Sequence, residues 1–558
     1  MTKLSLLKRL RLRLVPTPAF PEWDRIIRRE SGLWQTATEA ARSGPRILIA
    51  TSFGGHLPSA HLETTLAVAL TLRGARVHTL LCDGLLPACQ QAEIGMFDEA
   101  QTFAHGGPQA TLCGDCYSPS SRVYRSLGLP LHTYGELVTS DESRDARHRA
   151  RDVPFDKVKD MRCDGLAVGE HALAGALRFF GRGDINTMNA AEPVVRRYLE
   201  AALLTVFAVR RLLRDGGFDV VCFNHGIYVP QGLVGETARA ENVRVVNWNP
   251  AYRKGCFIFS HGDTYHHTLL DEPVEAWNDI PWTEAMETEV LDYLQSRRTG
   301  DRDWIWFHER PEEHLDAIQR TLGLDLSKPT IGLLTNVIWD AQLHYRANAF
   351  PTMMDWVLET IRYFARRPDL QLVIRVHPAE IRGTVPSRQR VVEEIDRLFG
   401  PLPANVTVIP PESSASTYAV MDHCNAVLIY GTKTGVELSA QGIPVIVGGE
   451  AWIRNKGLTM DASTPDEYRA LLDRLPLPAR LDEETKTLAL KYAFHFFFRR
   501  MVPVGAMHPT GEWPPYRLAL KSLRDLGEGS DRGLDVICDG ILHGEEFVYP
   551  SEEGPFRK

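Results

Sequence analysis

Short apolar runs alternate with amphipathic segments along most of the chain. The apolar runs occupy 46–52, 75–82, 218–224 and 243–249 in the first half, and 329–337, 370–378, 405–410, 426–431 and 443–449 in the second half. Segments with helical periodicity separate most of them, notably at 61–72, 352–366 and 388–399. Strands that alternate with helices are typical of parallel sheets covered by helices. The pattern therefore predicts an α/β protein.

A charged, Trp-rich stretch near 276–310 divides this pattern into two blocks. Because 558 residues exceed what one hydrophobic core holds, we expect two doubly wound, Rossmann-type parallel-sheet domains that face a central cleft. The predicted divisions are a basic N-terminal arm at 1–40, an N-terminal α/β domain with a four-Cys insert at 41–275, a connector at 276–328, a C-terminal α/β domain at 329–475, and a helix and tail at 476–558 that pack back across both domains.

Composition narrows the class of protein. The formal net charge of −8 gives no reason to expect a nucleic-acid partner. No apolar run reaches the roughly 18 residues that span a bilayer, and the N-terminus has no secretory signal pattern. Nine cysteines in a chain of this length do not indicate a secreted disulfide scaffold, so a cytoplasmic protein is predicted. The basic, Leu-rich segment 3–14 is either an amphipathic helix on the inner face of the plasma membrane or a basic arm.

A small loop follows the apolar run 426–431. It consists of Gly431, Thr432, Lys433, Thr434 and Gly435, and a helical segment begins directly after it. In open α/β sheets ligands bind beyond the carboxyl ends of strands, and amides at the start of a helix favour an anion. Two glycines, two hydroxyls and one ammonium group suit a phosphate. A plain helix cap by Thr434 is the alternative.

Further polar residues are expected at the same edge of the sheet. His377 and Pro378 end the strand at 370–378, which places the imidazole where it could donate to a phosphate. Glu412, Ser413, Ser414 and Ser416 form a polar loop between the two strands, within reach of a nucleobase or ribose. Glu437 lies one turn into the helix and is a candidate for hydrogen bonds to ribose hydroxyls.

The order of these motifs resembles the capsule polysaccharide biosynthesis family. The motifs are the His-Pro pair, the Ser-rich loop, "YGTKTGVE" and "GIPVIVGG", and the resemblance is clearest over about 329–460. Characterised members include β-Kdo transferases with the two-domain GT-B fold. The resemblance implies that the C-terminal domain binds a nucleotide sugar, CMP- or UDP-linked, and that catalysis needs no metal. It implies that His377, Thr432 and Thr434 contact the donor phosphate, whereas Lys433 departs from the pattern and leaves the donor open.

The N-terminal domain would then bind the acceptor, a polysaccharide or glycolipid. An inverting transferase needs a base that takes the proton of the acceptor hydroxyl. Four side chains near predicted strand or helix ends are candidates, and the sequence does not rank them: His56, Glu170, His171 and His225. Each also suits a hydrogen-bonded loop position.

Four cysteines lie within 35 residues of one another: Cys82, Cys89, Cys113 and Cys116. Four thiolates satisfy tetrahedral zinc or an iron–sulfur cluster, although the Cys-x6-Cys half is wider than usual for zinc. A redox couple and buried thiols are the alternatives. A metal here would clamp the loop after the second strand.

Together these observations predict a glycosyltransferase that moves a sugar from a nucleotide sugar onto a surface polysaccharide or glycolipid. A sugar-nucleotide epimerase or a polyol-phosphate transferase on the same fold is an alternative. A non-catalytic component of polysaccharide export or assembly is another.

Overall fold

Two large sheets form the framework of the protein, as the alternating pattern predicts. The computed structural model describes residues 20–300, 302–304, 311–325, 327–340, 344, 348–511 and 513–553. The strands are β1 (Arg46–Ser52), β2 (Arg76–Leu81), β3 (Leu131–Thr133), β4 (Val220–Asn224), β5 (Arg244–Pro250), β6 (Cys256–His261), β7 (Thr330–Leu334), β8 (Gln371–Arg375), β9 (Val406–Ile409), β10 (Ala426–Ile429), β11 (Val445–Val447), β12 (Met460–Asp461), β13 (Val502–Pro503), β14 (Met507–Pro509) and β15 (Tyr516–Leu518).

The helices cover both faces of the sheets. They are α1 (Trp23–Arg29), α2 (Ser31–Ala40), α3 (Leu57–Leu72), α4 (Ala100–Gly106), α5 (Gly114–Ser126), α6 (Tyr134–Leu137), α7 (Ser140–Asp152), α8 (Val168–Phe180), α9 (Ala191–Gly216), α10 (Gln231–Ala240), α11 (Tyr265–Thr268), α12 (Glu275–Asn278), α13 (Glu284–Ser296), α14 (Leu315–Leu322), α15 (Met353–Phe364), α16 (Ala379–Arg382), α17 (Val391–Phe399), α18 (Thr417–Met421), α19 (Thr434–Ala440), α20 (Pro465–Leu472), α21 (Glu483–Phe494) and α22 (Arg532–His543). None of the helices in the described ranges combines the length and apolarity needed to cross a membrane.

The N-terminal sheet has seven strands in the order β13-β6-β5-β4-β1-β2-β3. The five strands from β3 to β5 are parallel, and β6 and β13 extend the sheet with antiparallel pairing. Chain order reverses between β1 and β4, so the loops after these two strands diverge.

The C-terminal sheet has six parallel strands in the order β12-β11-β10-β7-β8-β9. Its central strands are buried on both faces; the side chains of Val427, Leu428 and Ile429 have no exposed surface. Continuous apolar runs are therefore needed, because helices cover both sides of a parallel sheet. Chain order reverses here between β7 and β10. The two sheets establish the predicted pair of doubly wound α/β domains.

The last part of the chain contacts both sheets. Helix α21 packs against α19 of the C-terminal domain and against α13. Strand β13 pairs with β6 of the N-terminal sheet, and α22 packs against α3 and β13.

The N-terminal residues differ in part from the predicted basic arm. Residues 1–19, which include the basic segment 3–14, lie outside the described residues. Helices α1 and α2 begin at 23 and bury Trp23 and Trp34. The indole of Trp23 donates to Thr64 Oγ1 at 2.7 Å, and that of Trp34 donates to the carbonyl of Leu127 at 2.9 Å. Residues 23–40 are thus packed helices of the N-terminal domain, because two large aromatic side chains anchor them.

Candidate functional site

The C-terminal sheet carries a cleft of about 380 Å³ at the carboxyl ends of its central strands. Three segments form much of its wall: 334–337 after β7, 375–379 after β8 and 430–434 after β10. Because chain order reverses between β7 and β10, the loops that follow them separate and leave a crevice. The structure thereby brings His377 and the loop at 431–434 to one cleft.

His377 lies in the wall of this cleft with its ring held by neighbouring backbone. The ring Nδ1 accepts a hydrogen bond from the backbone N–H of Ala379 at 3.0 Å. The backbone N–H of His377 donates to Thr335 Oγ1, also at 3.0 Å. A neutral imidazole that accepts at Nδ1 carries its proton on Nε2. The ring therefore offers a donor for an anionic group. Pro378 also lines the cleft and caps the short helix α16.

The loop after β10 presents hydroxyl groups more than backbone amides. The N–H of Gly431 donates to Asn336 Oδ1 at 3.2 Å. The N–H of Thr434 donates to Thr432 Oγ1 at 3.3 Å, and that of Gly435 donates to the carbonyl of Thr432 at 3.4 Å. The expectation of amides directed at a ligand is thus wrong for these three positions. The Thr432 and Thr434 hydroxyls, 3.1 Å apart, line the cleft.

Gly435 serves helix packing rather than close approach to a ligand. A Cβ at this position would lie 2.6 Å from Ile429 Cδ1 and 3.1 Å from Ile453 Cγ2. Gly435 is buried and is not among the residues that line the cleft. The absence of a side chain lets α19 pack directly on β10.

Glu437 is buried and fully engaged, in contrast to its predicted contact with a ribose. Its Oε1 lies 2.6 Å from Lys433 Nζ and 3.0 Å from Arg297 Nε, and Tyr418 donates to its Oε2 at 2.5 Å. Burial opposes ionisation, but Arg297 and Lys433 outweigh it and lower the pKa of Glu437 to about 2. The carboxylate therefore positions Lys433, whose ammonium also lies 4.6 Å from the ring centre of Tyr252.

Part of the predicted polar loop lines the cleft. Ser416 and Thr417 line the cleft, whereas Ser413 and Ser414 do not. The reason is Arg375, which is 2% exposed. Its guanidinium donates to the carbonyls of Pro410 and Ser413 at 2.6 and 3.2 Å, and so turns the loop. The carbonyl of Ser414 accepts from the N–H of Glu312 at 2.8 Å.

Residues of the N-terminal domain close the opposite side of the cleft. Tyr252 and His266 belong to this wall, and Asp340 faces them from the segment after β7. Tyr228, which follows β4, donates its hydroxyl to Asp340 Oδ1 at 2.6 Å and so links the two domains. Burial raises the pKa of Asp340 above its ordinary value and lowers the pKa of His266 well below its ordinary value.

His225 stands behind this wall. Its ring centre lies 5.7 Å from that of His266 and 5.0 Å from that of Tyr228. Its backbone has a φ of 67°, the left-handed region that side chains rarely adopt, directly after β4. Burial lowers the pKa of His225 to about 3. His225 is therefore a neutral neighbour of the cleft and not one of its lining residues.

Glu170 and His171 line a second groove, of about 710 Å³. His171 Nδ1 donates to the carbonyl of Ile227, and its Nε2 lies 3.2 Å from Glu236 Oε1. Glu450 lines both this groove and the cleft. The two spaces are thus neighbours, and the groove includes residues of both domains.

His56 lies apart from both spaces. Its Nδ1 is 2.8 Å from Ser59 Oγ at the start of α3, and its ring packs near Phe53 and Trp513. Burial is the main reason why its pKa falls to about 4. Of the four predicted base candidates, none lines the cleft that contains His377.

Comparison with known families identifies the part of the chain that builds the cleft. Residues 312–495 match the family model described as "Capsule polysaccharide biosynthesis protein". The match covers about a third of the chain, and this part of the chain is similar to that family. The family region contains β7 to β12 and α15 to α21, and therefore His377, the 431–435 loop and Glu437. No curated protein matches the chain.

Solved structures share only distant similarity with this chain. The β-Kdo 2,4 transferase of KpsC from Thermosulfurimonas dismutans is 14% identical, with a TM-score of 0.31, over 49% of this chain and 79% of that one. The β-Kdo 2,7 transferase of the same KpsC is 13% identical, with a TM-score of 0.31, over 57% and 88%. A UDP-GlcNAc 2-epimerase from Methanocaldococcus jannaschii is 10% identical, with a TM-score of 0.29, over 80% and 98%. TM-scores of this size do not indicate a shared function.

Several residues that shape the cleft could not be predicted from the local sequence. Asp340 and His266 come from separate domains and meet only in the folded chain. Arg297 lies at the end of α13 in the predicted connector and reaches Glu437 across 140 residues of sequence. Of these residues, Arg375 alone could have been noticed in the sequence. It is a charged residue at the end of an otherwise apolar strand, and a buried charge needs partners.

Proposed function

We propose that the protein is a glycosyltransferase that moves a sugar from a nucleotide sugar onto a capsule or other surface polysaccharide or glycolipid, in the cytoplasm. The observation that carries the proposal is the cleft at the carboxyl edge of the C-terminal sheet. His377, Thr432 and Thr434 line this one cleft, and the two threonine hydroxyls lie 3.1 Å apart. The match of 312–495 to the capsule polysaccharide biosynthesis family model supports the same class of reaction.

On the donor side, His377, Thr432 and Thr434 hold the phosphate that bears the sugar. As the bond from the anomeric carbon to the phosphate oxygen breaks, negative charge grows on that oxygen. Hydrogen-bond donors already fixed in place stabilise such charge without reorganisation. Lys433 adds a positive charge, which Glu437 holds in position at 2.6 Å. These groups support departure of the nucleotide without a metal ion.

On the acceptor side, we assign the general base to Asp340. Its carboxylate takes the proton of the acceptor hydroxyl while that oxygen forms a bond to the anomeric carbon. Burial raises its pKa above the ordinary value of a carboxyl, which favours a base that must accept a proton. The hydroxyl of Tyr228 orients the carboxylate from the other domain. His266, kept neutral by burial, lies in the same wall.

The groove that contains Glu170 and His171 is the proposed path of the acceptor. It adjoins the cleft at Glu450 and is lined by polar and charged side chains of both domains. Sugars present many hydroxyls, and such a surface hydrogen-bonds to them. A chain that lies in the groove would direct its terminal sugar into the cleft.

Nucleotide release from a panel of CMP-, UDP- and GDP-sugars, with and without capsule oligosaccharide acceptors, tests the proposal. We expect one donor to be consumed only when an acceptor is present, with a labelled sugar joined to it. Conversion of the donor sugar without an acceptor would instead indicate an epimerase. Nucleotide binding without turnover of any donor would contradict the proposal and favour a non-catalytic assembly component.

A further inference from the structure

The four cysteines of the N-terminal domain surround one small cavity, apart from the proposed glycosyltransferase cleft. Cys82 follows β2, Cys89 lies in the loop after it, Cys113 ends a π-helical turn, and Cys116 lies in the first turn of α5. All four line the cavity, and none is in a disulfide. Residues separated by up to 34 positions in sequence thus direct their thiols at the same space.

The remaining lining of this four-Cys cavity is chiefly apolar. Phe53, Leu86, Leu112 and Pro230 contribute to it. An apolar shell limits the access of solvent to a metal centre. It thereby influences the redox potential of that centre. Simple buried thiols would not require a space between them, since protein interiors are otherwise close-packed.

Backbone N–H groups are directed at the sulfurs. The amide of Gly55 donates to Cys116 Sγ at 3.1 Å. The amides of Gly84 and Leu86 hydrogen-bond to the sulfur of Cys82, and that of Gln91 hydrogen-bonds to the sulfur of Cys89. Concave sets of backbone amides are typical of iron–sulfur sites, where they stabilise the negative charge of the thiolate-bound cluster.

Two structural details fix the geometry of the four-Cys cavity. A Cβ at Gly55 would lie 3.0 Å from Cys116 Sγ, so glycine is required for the amide to approach the sulfur. Gln109 Nε2 donates to the carbonyls of Gly84 and Leu86, each at 3.1 Å. This side chain joins the segment that carries Cys113 and Cys116 to the segment that carries Cys82 and Cys89.

We propose that Cys82, Cys89, Cys113 and Cys116 bind a [4Fe–4S] cluster. The four cysteines line one space, and a cubane cluster is bound by four cysteine thiolates arranged around it. The Cys-x6-Cys spacing is also wider than zinc sites use.

Loading is a ligand exchange that leaves the oxidation states unchanged. Four cysteine thiols pass their protons to the four thiolates that hold a preassembled [4Fe–4S] core of charge 2+; these ligands leave as thiols, and four bonds from iron to the cysteine sulfurs replace theirs. With every iron bound by a protein thiolate, the cluster has no open position for a substrate, so it orders the 82–116 insert beneath the loop after β1.

Metal analysis of the full chain, purified without oxygen or reconstituted with Fe²⁺ and sulfide, tests this assignment. We expect about four iron and four sulfide per chain, with broad visible charge-transfer absorption. The Cys113→Ser/Cys116→Ser double variant should lose both, and Cys163→Ser, at a buried cysteine outside the cavity, should keep both. The single variant Cys89→Ser provides the same comparison if the double variant does not fold.

Three results would overturn the proposal. The first is about one zinc per chain without iron. The second is a chain that stays metal-free after reconstitution. The third is iron that binds equally to the wild type and to the cysteine variants. Because none of these measurements depends on turnover, failure here and failure of the glycosyltransferase proposal are distinguishable.

Discussion

Lys433 Nζ and Glu437 Oε1 form a buried ion pair at a distance of 2.6 Å, one turn apart at the start of α19. The same carboxylate lies 3.0 Å from Arg297 and accepts a hydrogen bond from Tyr418. It therefore joins the loop after β10 to α18 and to the end of α13. A residue that the sequence indicated as a ligand contact thus stabilises the wall of the cleft.

Replacement of Glu437 by glutamine should destabilise the protein strongly. In this variant Lys433 and Arg297 would remain buried and positively charged, but each would lose the negative charge of the Glu437 carboxylate. Breaking a buried pair costs about 3–5 kcal/mol in the free energy of unfolding, which urea denaturation measures. Glu412→Gln is the matched control, because Glu412 pairs with Arg390 at 2.8 Å but is 52% exposed; the expected change is below about 1 kcal/mol. Equal effects of the two variants would contradict the buried network.

Glu63 should make stability fall as pH rises. Burial raises its pKa from 4.5 to about 7, although Thr51 and the indole of Trp248, at 2.9 Å, oppose this rise. Between these two values the folded chain holds a proton that the unfolded chain has released. The contribution of this group is therefore complete below pH 4.5 and is lost as pH rises to about 7.

Glu63→Gln provides the measurement for this pH dependence. The free energy of unfolding of the wild type, minus that of the variant, should fall by about 3 kcal/mol from pH 4.5 to 8. Glu39→Gln, at an exposed position of α2, should keep the wild-type profile. A difference that rises with pH would show that the buried carboxyl is ionised in the folded protein.

His377→Ala should weaken binding of the donor nucleotide by about 10- to 100-fold, because a hydrogen bond to a charged group contributes about 1.5–3 kcal/mol. Thermal-shift titration with CMP, CDP, UDP and GDP identifies the nucleotide, and calorimetry gives Kd for the wild type and the variant. His423→Ala, at an exposed position of the same domain, should bind like the wild type. Unchanged affinity in His377→Ala would remove this residue from the donor site.

Asp340→Asn should lower kcat by about 10²- to 10⁴-fold and leave donor affinity nearly unchanged, because the amide cannot take the acceptor proton. Tyr228→Phe should cause a smaller loss, since it removes only the hydrogen bond that orients the carboxylate. Asp141→Asn, on the exposed surface of α7, is the control. A normal kcat in the Asp340 variant would show that another residue is the base. His266, in the same wall of the cleft, would then be the next candidate.

Gly435→Ala should destabilise the C-terminal domain by about 1–3 kcal/mol, because its Cβ would lie 2.6 Å from Ile429 in a close-packed core. Gly32→Ala is the matched control: a Cβ there has no atom within 4 Å, and alanine favours the helix. It should be neutral or stabilising by up to about 1 kcal/mol. Thermal unfolding of the two variants compares them directly.

Much of the framework follows from local pattern. Apolar runs such as 46–52 and 426–431 become central strands because a parallel strand covered on both faces needs apolar side chains at every position. Short or edge elements carry a weaker pattern: β6 and β13 were not predicted, since their pairing depends on the arrival of distant segments. The packed helices at 23–40 depend on contacts of Trp23 and Trp34 with residues 41 and 93 positions away.

By itself, the sequence determined the alternating α/β architecture, the position of His377 and of the Thr432–Thr434 loop at strand ends, and the presence of four clustered cysteines. Those properties depend on neighbours in the chain. Only the tertiary structure decided which side chains face a ligand. It gave Glu437 and Gly435 structural roles, placed Ser416 rather than Ser413 of the predicted polar loop in the wall of the cleft, and joined Asp340 to Tyr228. The physical reason is that burial, charge pairing and the approach of distant strands are properties of the packed chain, and no local pattern encodes them.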